Sequence, residues 1–136
     1  MKEITSTVMN PTIKKLLSYA TLEEKVDGEY KKYTCLPSRK LYSIEVNGET
    51  ISCIGVKFLN SKKAVIKHIA VLPKERGKGI GSSMISFFCE KYDIHSIFAE
   101  TDKEAVNFYS KFDFQITSLG EKYLGIERFL CEFKIK

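Results

Sequence analysis

The chain has 136 residues, 43% of them hydrophobic, and a formal net charge of +5. The length fits one domain spanning 1–136, and the apolar fraction supports a sizeable core and excludes a disordered composition. No apolar run approaches the roughly 20 residues that cross a bilayer, so no membrane association is expected.

Met1 to Met9 is mixed polar, with no signal-peptide core, and a soluble cytoplasmic protein is expected. From about Asn10 to Tyr33 the pattern is helical. Leu16, Leu17, Tyr19 and Ala20 form one apolar patch, and Thr21 followed by Glu24 predicts a capping box opening a second helix, whose end Gly28 weakens. The polar faces of these two helices either line a substrate groove or simply cover packing surfaces. Lys40 to Val46 alternates, Asn47-Gly48 is a hairpin signal, and Glu49 to Leu59 is the return strand. After a turn at Asn60-Ser61-Lys62-Lys63, Ala64 to Leu72 is a third strand, apolar enough to be central.

Pro73 then stops the strand, and Gly77-Lys78-Gly79-Ile80-Gly81-Ser82 leads into a helix with Ile80, Met84, Phe87, Phe88 and Tyr92 on one stripe. Ile94 to Ala99 is a short strand, expected parallel to the third because a helix connects them. Asp102 to Phe112 reads as a helix. Phe114 to Leu119 and Ile126 to Lys134 are two final strands set apart by Gly120 and Gly125. The order α-α-β-β-β-α-β-α-β-β predicts an α+β fold, a mixed sheet with helices on its faces. The last strand either folds back within the chain or pairs across a dimer, so monomer and homodimer both stand. Cys35, Cys53, Cys89 and Cys131 are far apart and form no C-x-x-C pair. Buried free thiols are expected, and no metal site.

Charge singles out the middle of the chain. Between Lys57 and Lys78 lie seven basic residues against one acid, Glu75. A local excess beside a strand–glycine–helix junction points to an anionic ligand, since free N–H groups and the positive end of the helix dipole converge there. Glycines allow close backbone approach to a phosphate. No nucleic-acid partner is expected: there is no basic helix, and aromatics do not interleave with the basic residues. The turn is not a Walker loop, because G-x-x-x-x-G-K-[ST] is absent. Gly77, Gly79 and Gly81 give G-x-G-x-G rather than the dinucleotide G-x-G-x-x-G, and an antiparallel meander precedes them.

Ile69-Ala70-Val71-Leu72-Pro73-Lys74-Glu75-Arg76-Gly77-Lys78-Gly79-Ile80-Gly81 resembles the acyl-coenzyme A motif of the GCN5-related N-acetyltransferases, the GNAT family, with Arg76, Gly79 and Gly81 at its named positions. Ala105-Val106-Asn107-Phe108-Tyr109-Ser110-Lys111-Phe112-Asp113-Phe114 resembles the family's A-x-x-F-Y-x-K-x-G-F segment. Two positions depart from the pattern. Asp113 replaces a glycine, and Asp can adopt the left-handed conformation. Asp102 stands where the family often has an asparagine that contacts the pantetheine arm, and Asn107 is the candidate substitute.

The resemblance implies an acetyl-CoA-dependent N-acetyltransferase acting on a primary amine of a small molecule or peptide. It also leaves open a non-catalytic acyl-CoA-binding sensor on the same fold. The strand carrying Ile69, Ala70 and Val71 is expected to splay from its parallel neighbour, with a bulge near Ile69-Ala70, and to pair with the pantetheine amides. The N–H groups from Arg76 through Gly77, Lys78, Gly79, Ile80, Gly81 and Ser82 would take the pyrophosphate. Tyr109 would protonate the departing thiolate. Glu100 and His68 stand near the strand ends, and each is a candidate to drain the amine's proton, with a structural role as the alternative. Lys122-Tyr123-Leu124-Gly125 and the helical segment before Tyr33 are candidate acceptor lining.

Overall fold

The computed structural model describes residues 1–135, with the backbone alone at 122 and 123. A two-residue strand, β1 (Lys2–Glu3), precedes two helices, α1 (Pro11–Ala20) and α2 (Val26–Cys35). A meander follows: β2 (Arg39–Val46), β3 (Glu49–Phe58) and β4 (Lys63–Val71). Then come α3 (Ile80–Lys91), β5 (Ser96–Asp102), α4 (Val106–Lys111), β6 (Gln115–Tyr123) and β7 (Ile126–Lys134). The seven strands form one sheet in the order β1-β2-β3-β4-β5-β7-β6, antiparallel except for β4 and β5. This is the expected α+β fold with a mixed sheet. The last strand folds back within the chain, inserted between β5 and β6.

Local chemistry explains most boundaries. Asn10 is extended and its side chain accepts from the Thr12 N–H at 2.7 Å, with Pro11 in the first turn of α1. Ile13, Leu16 and Leu17 are fully buried beneath it. Each contributes about 1.5–3 kcal/mol against about 1 kcal/mol for a cap, so packing rather than capping holds α1 in place. The expected capping box at Thr21 and Glu24 does not form. Thr21 ends α1 instead, donating its N–H to the Leu17 carbonyl, and a 3-10 turn at Glu23–Lys25 leads into α2. Gly28 lies inside α2 rather than at its end, because Val26, Tyr30 and Tyr33 bury on either side of it. Asn47 (φ 52°) and Gly48 (φ 78°) are both left-handed, as the two-residue hairpin turn requires.

The decisive irregularity is in β4. Gly55 of β3 faces His68 and Val56 faces Ile66, so Lys67 is an extra residue, a bulge. The expectation placed it near Ile69-Ala70, later in the strand. The insertion inverts the side-chain parity of the strand. Before it, Ala64 and Ile66 face the core beneath α3; after it, Ile69 and Val71 take that side, while His68, Ala70 and Leu72 turn toward α1 and α2. Parallel pairing with β5 runs from Lys63↔Ser96 to Ile66↔Ala99 and goes no further. Beyond it β4 stays with β3, and β5 stays with β7 through Asp102↔Arg128. The sheet opens as a V between β4 and β5.

Two apolar layers flank the sheet. Phe88, Met84 and Ile85 of α3 cover one face, against Ile54, Val56 and Ile97; α1 and α2 cover the other over β2 to β4. The α3 stripe is rotated from the expected one. Ile85 and Cys89 are buried, while Phe87 and Tyr92 pack at its border. Cys53, Cys89 and Cys131 are buried free thiols, and Cys35 is exposed. No helix among the described residues is long and apolar enough to cross a membrane.

At Gly55 an added Cβ would fall inside the Tyr33 phenol ring, which lies against the β3 backbone opposite the bulge. Gly55→Ala is therefore expected to cost about 1–3 kcal/mol in urea unfolding. In a Tyr33→Ala background the same change should cost far less; an equal cost in both backgrounds would show that the contact is not what requires glycine.

Candidate functional site

The strand β4 runs directly into the site. The Leu72 N–H still donates to the Ile51 carbonyl of β3, after which a 3-10 turn at Pro73–Glu75 ends the strand. In an antiparallel ladder residues alternate in the side they bond to. Leu72 bonds toward β3, so the backbone groups of Val71 and Ile69 face the open side of the V. The Val71 carbonyl indeed receives the Arg76 side chain, Nε to O at 2.9 Å.

Gly77 (φ 79°) and Gly79 (φ 78°) are left-handed, and a side chain at either would be strained. Gly79 is the N-cap of α3 and its carbonyl accepts both the N–H and the hydroxyl of Ser83. Among the described residues no backbone carbonyl accepts from the N–H groups of residues 77 to 82. A run of N–H groups at a helix start, with the dipole behind it, is an anion cradle. Gly81 has a different task. It is buried in α3, and a Cβ there would meet the Phe108 ring at 2.9 Å. Its bareness seats α4 against α3.

Ile69 and Val71, the glycine turn, and Phe108, Tyr109 and Phe112 enclose a cleft of about 540 Å³, with Tyr19 of α1 at its rim. Tyr109 is buried, its ring edge-on to Phe108 and Phe114 at 5.1 Å each. Burial pushes its phenol well above the ordinary value, and the neighbouring Cys131 adds to this, so Tyr109 stays protonated at neutral pH. No hydrogen-bond partner for its hydroxyl occurs among the described residues.

Of the sequence-predicted site residues, Ile69, Ala70, Val71, Arg76, Gly77, Gly79, Ile80, Gly81, Ser82 and Tyr109 line this cleft. Lys78 does not: its ammonium pairs with Glu75 at 2.8 Å. Asn107 is exposed and off the cleft. Asp102 accepts from the N–H groups of Glu104 and Ala105, capping the turn into α4. Asp113 has φ 65°, the left-handed conformation in which a glycine was expected. The basic stretch also divides. Lys62 and Lys63 lie at the far end of β4, roughly 25 Å from the glycine turn, and Lys62 pairs with Asp93, Lys74 with Glu49. The cradle is thus built from N–H groups, with Arg76 and Lys111 the cations that line the cleft. The reading missed Tyr19, whose signal was its place on the exposed side of the apolar stripe of α1 and whose ring lies 5.3 Å from the Arg76 guanidinium. Lys122 and Tyr123 lie outside the residues whose side chains are described, and Leu124 is exposed at the hairpin tip.

The opposite face of the V holds a second cavity, about 610 Å³, lined by Val65, Lys67, Phe98, Glu100, Leu130 and Arg128. His68 opens to neither cavity. It is buried, hydrogen-bonded through Nδ1 to the Tyr33 hydroxyl, with Nε2 3.7 Å from Glu29. Arg39 lies 3.9 Å from the same Glu29 oxygen and 5.6 Å over the Tyr33 ring. Burial pulls His68 down to about 4, against the attraction of Glu29. It is a neutral brace between α2 and the bulge.

A model of the acetyltransferase (GNAT) domain matches residues 37–116. The chain belongs to the GNAT acetyltransferase family. An uncharacterised N-acetyltransferase in the lysA 3′ region of Bacillus methanolicus is 32% identical over 80 residues, 57% of this chain and 67% of that protein. Among solved structures, an aminoglycoside 6′-N-acetyltransferase complexed with coenzyme A superposes with a TM-score of 0.80 at 15% identity, covering 100% of this chain and 98% of that one. A GNAT acetyltransferase from Elizabethkingia anophelis with acetyl-CoA bound gives 0.74 at 20% identity, covering 98% and 95%. At these identities the structural likeness is one of fold.

The buried imidazole has a consequence for stability. Unfolding returns His68 to an ordinary value near 6.5, so the unfolded chain binds its proton first as pH falls. Its contribution is intact above about pH 6.5 and is lost toward about pH 4, with a slope of up to about 1.4 kcal/mol per pH unit. His68→Gln should flatten urea-unfolding stability against pH in that window by this increment. An unchanged slope would assign the titration to another group.

Proposed function

We propose that the chain transfers an acetyl group from acetyl-CoA to a primary amine by direct attack within the V between β4 and β5. The observation that carries this reading is the conjunction of an unpaired β4 edge, the N–H cradle beyond it and the hydroxyl of Tyr109 in one cleft. The residues fit such a donor in three ways. The backbone groups of Ile69 complete their ladder with the amides of the pantetheine arm, which leaves the Val71 N–H for the thioester. The N–H groups of residues 77 to 82 take the pyrophosphate. The guanidinium of Arg76 keeps donors beyond its bond to Val71 for an outer phosphate.

In the reaction the acceptor's nitrogen lone pair adds to the thioester carbonyl carbon, the C–N bond forms and the C–S bond breaks. The Val71 N–H polarises the carbonyl oxygen as it gains charge. Tyr109 gives its proton to the leaving sulfur, yielding a free thiol. The proton lost from the amine nitrogen passes to solvent, from which Tyr109 is reprotonated. The raised phenol value keeps Tyr109 protonated until the C–S bond breaks and the departing sulfur takes its proton.

A thiol-release assay with acetyl-CoA and an amine panel tests the function; coenzyme binding with no thiol release would leave a sensor and overturn the enzyme. Gly79→Glu places a side chain at φ 78° and a carboxylate in the cradle. It should weaken coenzyme A binding at least about tenfold, or 1.4 kcal/mol, while Gly79→Asn, which tolerates that φ, should retain most of it. Equal affinities for all three would remove the cradle from phosphate binding.

Tyr109→Phe should lower kcat about 100-fold or more with the coenzyme A dissociation constant within about twofold. Unaltered turnover would end its role as acid.

A further inference from the structure

The second cavity carries an inference about the acceptor, which rests on the transfer reaction proposed above. It begins where β4 and β5 part: Lys67 and Glu100 are the first residues beyond the last paired rung, Ile66↔Ala99. It lies on the sheet face opposite α3. The cross-strand pairs Val65↔Phe98, Glu100↔Leu130 and Asp102↔Arg128 put Val65, Phe98, Glu100, Leu130 and Arg128 of its lining on that one face. The helices α1 and α2 pack over β2 to β4 and leave this face of β5 and β7 open. The donor cleft and this cavity therefore lie on opposite faces of the sheet, on either side of the place where β4 and β5 part.

Its chemistry is selective. Val65, Phe98 and Leu130 give an apolar floor. Two cations, Lys67 and Arg128, face a single carboxylate, Glu100. Arg128 Nε lies 3.4 Å from Glu100 Oε2, a carboxylate and a guanidinium side by side at the cavity wall. An α-amino acid zwitterion presents the complementary pair, an ammonium and a carboxylate on one carbon, and lies antiparallel along it. Lys67 adds a second positive group across the gap. Arg39, Lys57 and Lys32 set further positive charge around Lys67, against Glu29, and together with burial they lower its value. Of the other acids on the neighbouring strands, Glu132 pairs with the Ser96 hydroxyl at 3.0 Å and Asp102 caps the turn into α4.

We propose that the acceptor is an α-amino acid with an apolar side chain, its amine at Glu100, its carboxylate at Arg128 and Lys67, and its side chain on Val65, Phe98 and Leu130. A polycationic acceptor, such as the aminoglycosides named for some structural neighbours, would bring several positive charges to a cavity that already holds a net positive one.

The test is thiol release from acetyl-CoA with leucine, phenylalanine, leucinamide, spermidine and kanamycin as acceptors. Leucine and phenylalanine should show kcat/KM at least tenfold above leucinamide, spermidine and kanamycin. In Arg128→Gln and Lys67→Gln, leucine should lose at least tenfold, mainly in KM. Leucinamide turnover and coenzyme A affinity should stay within about twofold, a split that a merely structural loss would not give. Leucinamide equal to leucine, or kanamycin or spermidine preferred, would overturn the acceptor class while leaving acetyl transfer standing. No thiol release with any of the five, with coenzyme A bound, would overturn both.

Discussion

One inserted residue governs this molecule. With Lys67 bulged out of the β3 ladder, the second half of β4 turns over. Ile69 and Val71 come to face the α3 side as cleft floor, and Ala70 and Leu72 anchor α1. The same event coincides with the end of pairing to β5 at Ile66↔Ala99. A strand held on one edge only must satisfy its other edge with water or with a ligand, since unpaired backbone groups are costly to bury. The bulge thus creates both an apolar floor and a polar edge in one segment, the two features an acylated, amide-bearing arm needs.

The anion site beyond it uses little formal charge. Lys78 is tied to Glu75 and Lys74 to Glu49, and Arg76 is bonded to Val71 and stacked on Tyr19. Exposed ion pairs of this kind contribute only about 0–1 kcal/mol each and are screened by salt. The N–H groups of residues 77 to 82 are aimed by the turn and the helix start, so the proposed phosphate contacts would draw on backbone donors. Division of labour among the glycines follows: Gly77 and Gly79 supply left-handed turns that aim those groups, whereas Gly81 admits Phe108 and so brings Tyr109 over the cleft.

The strands, the hairpin at Asn47-Gly48 and the helix after Gly79 were legible because each is a local pattern: alternation, a turn dipeptide, an apolar stripe. The order of the last two strands was not, because β7 inserts between β5 and β6 through long-range pairing that no local signal encodes. Thr21 and Glu24 matched a capping box but lost to α1, which already used Thr21 to close its end. The basic stretch looked like one patch because sequence places Lys62 and Arg76 close together; an extended strand carries them to opposite ends, and distant acids neutralise several. Asn107 shares a short helix with Tyr109, but only the Phe108 and Tyr109 side of that helix reaches the cleft. Tyr19 reads as part of the apolar patch of α1, since an aromatic on an amphipathic helix ordinarily packs, and only the fold brings it to Arg76.

His68 shows how a buried polar group serves the opening without facing it. It pairs with Gly55 across the ladder at the residue next to the bulge, and Tyr33 reaches it over the bare Gly55 backbone. Glu29 and Arg39 complete the cluster from α2 and β2. The bond from Nδ1 to the Tyr33 hydroxyl holds the imidazole in place, because rotating it away would leave a buried polar atom unpaired at about 1–3 kcal/mol. The brace therefore fixes the place where the sheet stops being continuous. Lys67 on one side of it faces the acceptor cavity, and Ile69 on the other faces the donor cleft. In the proposed reaction the two substrates would meet between the residues that flank His68, whose register that brace holds.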